Sequence, residues 1–105
     1  MFVLDEDNNM HEIKDDDIIC IDRSRPFIYY RTQEGKYRDP VTLSDIKRVR
    51  DPNKYIQIDK RKLVNVALAD KIEDGFIHFG DLKYPIARER LKGVIELFLD
   101  NIGYK

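Results

Sequence analysis

The chain has 105 residues, of which 42% are hydrophobic and 37% charged, with a formal charge of −1 at pH 7. This length and apolar content exclude a disordered chain and predict a single domain over residues 1–105. No uncharged apolar run approaches the roughly 18 residues of a membrane helix, and the acidic first ten residues exclude a signal peptide. The single cysteine, Cys20, excludes an internal disulfide, so a cytoplasmic protein is predicted.

Short strands are predicted in the first half of the chain. Apolar and β-branched residues predict strands at residues 2–4, 10–13, 17–22 and 27–32. The turn-prone residues Asp7-Asn8-Asn9 predict that the first two of these strands form a hairpin. Arg23–Pro26 is predicted to be a polar loop between the last two of these strands. A turn at residues 33–36 then leads to a return strand, which we expect Pro40 to end.

The second half is predicted to contain more strands and two helices. The capping pattern that begins at Thr42 predicts a short internal helix of about two turns, which Pro52 ends. Apolar segments predict strands at residues 55–58, 63–68, 72, 76–79 and 82–86. Asp74-Gly75 predicts a hairpin turn between residue 72 and residues 76–79. From Arg88 the apolar period becomes that of a helix, which Gly103 ends. The residues expected on its buried face are Leu91, Val94, Ile95, Phe98 and Ile102.

Charge is unevenly distributed along the chain. Residues 1–22 contain eight acidic residues and one basic residue, a net charge of −7. Residues 23–64 contain twelve basic and five acidic residues, net +7, and residues 65–105 sum to −1. Two interpretations stay open: a basic face for an anionic partner, or acidic and basic segments that fold together and cancel. The basic residues recur in three predicted loops, at residues 23–26, 59–62 and 87–90.

The order of these segments resembles the LytTR family, the DNA-binding output domain of many bacterial response regulators. Residues 17–22 resemble its opening strand, D-I-x-Y-I-E, and residues 27–37 resemble the hairpin that follows. The stretch Y-I-Q-I-D-K-R-K-L-V-N at residues 55–65 is similar to F-x-R-I-H-R-S-x-I-V-N. P-I-A-R-E-R-L-K at residues 85–92 is similar to P-I-S-R-R-x-L-K. Two contact triplets depart from the family: H-R-S is Asp59-Lys60-Arg61 here, and S-R-R is Ala87-Arg88-Glu89.

The resemblance implies a mostly β fold: an elongated sandwich of small antiparallel sheets with a short internal helix and a C-terminal helix. It also implies sequence-specific binding to double-stranded DNA by a bacterial transcription regulator, with loops that enter successive major grooves. Two copies would occupy repeated half-sites about one helical turn apart. No receiver domain is expected in this chain, so we expect a regulator that a protein partner could restrain.

The candidate DNA-binding residues are Arg23, Arg25, Asp59, Lys60, Arg61, Lys62, Arg88, Arg90 and Lys92. Lys60, Arg61 and Arg88 are the expected base readers, since arginine can bind guanine O6 and N7 together. Arg88 and Arg90 are predicted to open the last helix, whose free N–H groups attract phosphate. The alternative for every loop is a solvated surface segment. Asp59 either orients the neighbouring cations or weakens binding by repelling phosphates.

A second class of function is a protein–protein interaction module on the same scaffold that has lost DNA binding. The acidic residues of the first 22 positions motivate it, and pairing through the N-terminal hairpin or an edge strand would provide the contact. No enzyme, cofactor, metal site or membrane partner is predicted, because no nucleophile–base pair or ligand motif occurs. Cys20 is expected to be a small buried residue. The tyrosines are expected to pack on sheet faces rather than stack on bases.

Overall fold

The computed structural model describes residues 1–42 and 54–103. These residues form ten strands, three 3-10 turns and one α-helix, and the strand pairings are antiparallel. The predicted mostly β class with a C-terminal helix is therefore confirmed, and the predicted internal helix lies outside the described residues. The chain divides into two compact units, Met1–Val49 and Arg50–Lys105. A single domain over the whole chain stays a prediction.

Five strands of the first unit follow one another in the spatial order β2-β1-β5-β4-β3. Their bounds are β1 Phe2–Leu4, β2 Met10–Glu12, β3 Cys20–Ser24, β4 Phe27–Arg31 and β5 Lys36–Thr42. The predicted first hairpin is confirmed: Asn8 takes a left-handed φ of 64° in its turn, which asparagine tolerates better than most residues. At its open end, Met1 and Ile13 exchange backbone hydrogen bonds of 2.8 and 2.9 Å.

Strand β3 begins and ends later than predicted. Asp15–Asp17 forms an exposed 3-10 turn before it, as expected for a solvated acidic segment. The strand continues through Arg23 and Ser24, because Ser24 pairs directly with Phe27 of β4. Only two residues, Arg25 and Pro26, are left to make the turn, which is the shortest common hairpin connection. The prediction of a loop over Arg23–Pro26 is thus wrong for Arg23 and Ser24.

Pro40 does not end strand β5, contrary to the prediction. The strand continues to Thr42, and the β4–β5 register shifts between the pairs Tyr29–Arg38 and Phe27–Thr42. This irregularity gives β5 extra residues around Pro40, and a bulge is one of the few sheet positions that tolerate a residue without an N–H group. Asp39 stabilises the bulge, since its fully buried carboxylate accepts from the Tyr30 hydroxyl at 2.6 Å and the Val41 amide at 3.1 Å.

The second unit contains a two-stranded ladder and a three-stranded sheet. β6 Tyr55–Gln57 pairs with β7 Lys62–Asn65, and the sheet of three has the spatial order β10-β9-β8. The bounds of its strands are β8 Lys71–Glu73, β9 Phe76–Phe79 and β10 Leu82–Pro85. The apolar run that begins at Leu63 leaves the strand conformation at Asn65, whose side-chain oxygen accepts from the Ala67 amide at 3.1 Å. That contact begins the 3-10 turn Val66–Leu68.

Helix α1 spans Leu91–Asn101 and packs against the Val66–Leu68 turn. Val94 is its fully buried residue, whereas Ile95 is 36% and Ile102 58% exposed. The predicted five-residue buried face is therefore wrong for these two isoleucines. Successive residues of an α-helix point about 100° apart around the helix axis. The short Val66–Leu68 turn therefore covers only part of the surface of α1. Gly103 has a φ of +78° and ends the helix as predicted.

The aromatic and cysteine predictions concern the core. Tyr30 and Tyr55 are buried, and Tyr29 and Tyr37 are half-buried on their strands. These four tyrosines therefore pack within sheets, as expected. Cys20 is 3% exposed, which confirms a small buried residue at the start of β3.

Candidate nucleic-acid interface

The loop between β6 and β7 is ordered by its own first carboxylate. The Asp59 side chain accepts hydrogen bonds through Oδ1 from the amides of Arg61 at 2.8 Å and Lys62 at 2.7 Å. The amide of the fully buried Ile58 donates to the carbonyl of Lys62 at 2.9 Å and closes the loop. Asp59 therefore fixes the backbone that carries Arg61 and Lys62, and its effect on DNA binding stays a prediction.

The charged ends of this loop lie at the surface. Lys60 and Arg61 are exposed, and Lys62 is half-buried with its ammonium 3.6 Å from Asp59 Oδ2. Partial burial favours the neutral form of the Asp59 carboxyl, but the amide hydrogen bonds from Arg61 and Lys62 outweigh it. The pKa of Asp59 consequently lies below its usual range. Asp59 is thus ionised at neutral pH, beside three basic side chains.

A second basic segment, residues 87–92, is joined to this loop by a backbone hydrogen bond. The amide of Ala87 donates to the carbonyl of Ile58 at 2.8 Å, so residue 87 lies directly beside the start of the β6–β7 loop. On either side, the Ile86 amide donates to Gly75 at 2.9 Å and the Arg90 amide donates to Ala87 at 2.9 Å. The structure therefore brings two of the three predicted basic loops together within the second unit.

The three basic residues of the second segment differ in exposure and position. Arg88 and Lys92 are exposed, and Arg90 is half-buried. The prediction that Arg88 and Arg90 open the last helix is wrong, because Arg88–Arg90 is a 3-10 turn and α1 begins at Leu91. A 3-10 turn leaves fewer aligned N–H groups than an α-helix, so the argument from a helix N-terminus does not apply to Arg88.

Arg23 and Arg25 belong to the first unit. Arg23 lies in β3 opposite Ile28 and is half-buried, whereas Arg25 is exposed in the two-residue turn. Within the same strand, the Ser24 hydroxyl donates to Asp22 Oδ1 at 2.9 Å. Arg25 is therefore the member of this predicted loop whose side chain is more accessible.

Removal of the Asp59 side chain is expected to destabilise the protein modestly. Asp59→Ala should lower the free energy of unfolding by about 1 kcal/mol at pH 7, since two loop amides lose their acceptor. The folded-state pKa of Asp59 is lowered, so its stabilising effect is present above the unfolded value of about 3.9 and is lost as pH falls through the folded value. Urea unfolding should thus show a smaller difference at about pH 3 than at pH 7. A difference that is independent of pH would contradict this role, and Asp59→Asn, which keeps an acceptor, is the control.

The backbone link between Ala87 and Ile58 is the part of the site that the sequence did not predict. Neither residue carries a polar side chain, so no motif pointed to them. Asp59 did carry a usable signal, because aspartate commonly accepts from amides two residues later in a turn. Over residues 1–42 and 54–103, no cluster of His, Cys, Asp and Glu side chains could hold a metal ion. The same part of the chain contains no helix long and apolar enough to cross a membrane.

Comparison with known proteins identifies the family of this mostly β chain. The model of the LytTr DNA-binding domain matches residues 8–98, so the chain belongs to the LytTR family. This is a family of DNA-binding domains. The resemblance in the sequence is thereby confirmed.

One solved structure extends the comparison to the fold. The chain is similar to the LytTr DNA-binding domain of a protein described as a methyl-accepting/DNA response regulator from Bacillus cereus. The TM-score is 0.67 at 11% identity, over 97% of this chain and 95% of that chain. At this identity the likeness concerns the fold alone. No match is found among the curated proteins.

Proposed function

We propose that this domain binds double-stranded DNA sequence-specifically and acts as a bacterial transcription regulator. The observation that carries the proposal is the hydrogen bond from the Ala87 amide to the Ile58 carbonyl. It holds two exposed basic segments beside each other, and a rigid pair of loops is what base reading requires, because base edges are recognised by directional hydrogen bonds. Regulation without a receiver domain stays a prediction, and the DNA-binding proposal does not depend on it.

The roles of the candidate residues follow from their exposure. Lys60, Arg61 and Arg88 are exposed at the two segments and would reach base edges in the major groove. Phosphate contacts would come from the remaining basic residues, which set the register on the duplex without reading sequence. These are Arg23, Arg25, Lys62, Arg90 and Lys92. Asp59 would act through its neighbours, since its Oδ1 already accepts from two amides.

We further propose that two copies occupy one regulatory site. A domain of this size covers a short stretch of duplex, and two half-sites about one helical turn apart place both copies on the same face. A protein partner that restrains the regulator belongs to this proposal as a separate element. Its contact surface would have to leave the two basic segments accessible.

Salt-dependent binding to a pooled random-sequence duplex is the test. Fluorescence anisotropy at low and near-physiological salt should show binding that weakens steeply as salt rises. Five neutralised phosphates would give a slope of log K against log salt of about −4.5. Selection from the pool should then yield enriched sequences with a repeated half-site. Absence of binding even at low salt would overturn the proposal.

A further inference from the structure

The outer edge of the N-terminal hairpin exposes unpaired backbone groups. Within the described part of the chain, β2 pairs only with β1 and forms the end of its sheet. Hydrogen-bonded pairs alternate along an antiparallel ladder. Met1 and Ile13 form such a pair, and further along the hairpin the Asp5 amide donates to the Asn9 carbonyl at 2.9 Å. By this alternation Val3 and His11, which lie between them, are also a hydrogen-bonded pair, so the N–H and C=O groups of His11 point toward β1. The N–H and C=O groups of Met10 and Glu12 therefore point away from the sheet.

Two apolar side chains flank this open edge. Met10 is 63% and Phe2 55% exposed, and both lie on one face of the hairpin, since Phe2 is opposite Glu12 and Leu4 is opposite Met10. Natural edge strands are commonly protected by being very short, by charged residues, above all lysine, by proline or by a covering loop. β2 (Met10-His11-Glu12) is short and carries the charge of Glu12, but it has no lysine or proline, and its three residues are all exposed. The edge is therefore suited to accept an added strand.

On the opposite face of the hairpin, the side of His11, the β1–β2 turn and the start of β5 line an acidic cleft of about 260 Å³. Asp5, Glu6, Asp7 and Glu34 line it beside His11, with Lys36 as its basic residue. His11 Nε2 lies 2.7 Å from Asp5 Oδ2, and this hydrogen bond holds the pKa of the Asp5 carboxyl below its usual range. The cleft is thus strongly anionic at neutral pH, which suits a lysine or arginine side chain and repels phosphate.

We propose that the β2 edge binds an extended basic segment of a partner protein by strand addition. Main-chain hydrogen bonds to Met10 and Glu12 would supply affinity, and alternate side chains would supply specificity. In an antiparallel arrangement, the incoming residue opposite His11 faces the acidic cleft and is expected to be basic. The residue opposite Met10 lies beside exposed apolar surface and is expected to be apolar.

Charge argues against a second copy of this chain as the occupant. Residues 1–22 carry a net charge of −7 in each copy, and pairing of two β2 strands about His11 would bring these acidic segments together. Like charges that meet across an interface are destabilising. This surface uses none of the residues of the proposed DNA interface, so its test is independent of DNA binding.

Binding of a model peptide tests the proposal directly. The probe is a fluorescein-labelled eleven-residue peptide of alternating lysine and valine, and the control peptide has glutamate in place of lysine. We expect the basic peptide to bind and to lose affinity as salt rises, because exposed charges are screened. The acidic peptide should not bind. The proposal would be overturned if the two peptides bound with equal affinity or if neither of them bound.

Two variants at one position separate backbone pairing from charge. Glu12→Gln removes the charge alone, whereas Glu12→Pro also removes an N–H group that the hairpin does not use. Proline is tolerated on edge strands when its missing N–H would face solvent. We expect Glu12→Pro to bind the peptide about fivefold to tenfold more weakly than Glu12→Gln does, the effect of one lost hydrogen bond. Equal affinities of the two variants would contradict strand addition.

Amide hydrogen exchange of the unmodified protein decides the matter if Glu12→Pro fails to fold. Saturation with the lysine–valine peptide should slow exchange at Met10 and Glu12, whose N–H groups face outward, and leave His11 nearly unchanged. Unaltered exchange at Met10 and Glu12 would overturn the proposal. Sedimentation without peptide completes the test, since self-association that Glu12→Pro abolishes would assign the edge to a second copy.

Discussion

Replacement of both Lys60 and Arg61 by alanine is expected to abolish detectable sequence-specific DNA binding. Each side chain is exposed on the loop that Asp59 orders, and a good base contact is worth about 1–3 kcal/mol of discrimination. Loss of both should weaken binding to a selected site by about 30-fold or more and leave the salt slope nearly unchanged, because base readers neutralise no phosphates. Anisotropy with the selected duplex measures both effects.

The matched control for this double variant removes two cations elsewhere in the second unit. Lys71 and Lys83 are exposed on β8 and β10, outside both basic segments. Their double alanine variant should keep most of the affinity for the selected site. Both double variants should melt within a few degrees of the unmodified protein, since exposed substitutions usually change stability by about 0.5 kcal/mol or less. Normal duplex binding by the Lys60 and Arg61 variant would refute the assignment of the site.

The second large effect is expected from Tyr30→Phe. This change removes the hydroxyl that donates to the fully buried Asp39 carboxylate at 2.6 Å. Hydrogen bonds to charged groups contribute about 1.5–3 kcal/mol. We expect a loss of this size in the free energy of unfolding. The melting temperature should fall by roughly 4–8 °C for each kcal/mol.

Tyr37→Phe is the matched control for this prediction. Tyr37 pairs directly with Tyr30 across β4 and β5 and is half-buried. Its ring lies 5.4 Å from that of His11, and phenylalanine preserves that ring contact. Chemical denaturation should show a much smaller effect for Tyr37→Phe than for Tyr30→Phe. Equal losses would mean that the bulge at Pro40 does not depend on the Tyr30–Asp39 hydrogen bond.

Local chemistry explains which strands the sequence predicted well. The hairpins around Asn8 and Asp74-Gly75 were predicted from turn residues, and all three positions have positive φ, at 64°, 54° and 80°. Asparagine, aspartate and glycine are the residues that adopt this conformation most readily. Where the turn residue itself decides the backbone, a single sequence carries sufficient information.

The errors occur where a partner strand decides the outcome. Arg23 and Ser24 are polar, yet they continue β3 because β4 offers them ladder partners. Pro40 remains within β5 because a shifted register and the buried Asp39 accommodate it. Neither the pairing nor the bulge leaves a periodic pattern along the chain, so propensity alone places the strand ends incorrectly.

The candidate site shows the same division between local and long-range information. Its basic residues were proposed from charge and from the family pattern, and Lys60, Arg61 and Arg88 are exposed. The proximity of the two segments could not be predicted, because it depends on a backbone hydrogen bond between Ala87 and Ile58. A main-chain contact between residues far apart in sequence leaves no mark on side-chain composition.

The main-chain nature of that contact has a consequence for how such a domain could change its target. Since the Ala87–Ile58 hydrogen bond uses no side-chain atoms, residues 60, 61 and 88 are free to vary without altering the distance between the loops. The H-R-S and S-R-R triplets of the family are Asp59-Lys60-Arg61 and Ala87-Arg88-Glu89 in this chain. A new operator preference could thus evolve by exchange of a few surface residues, while the scaffold that presents them is inherited intact.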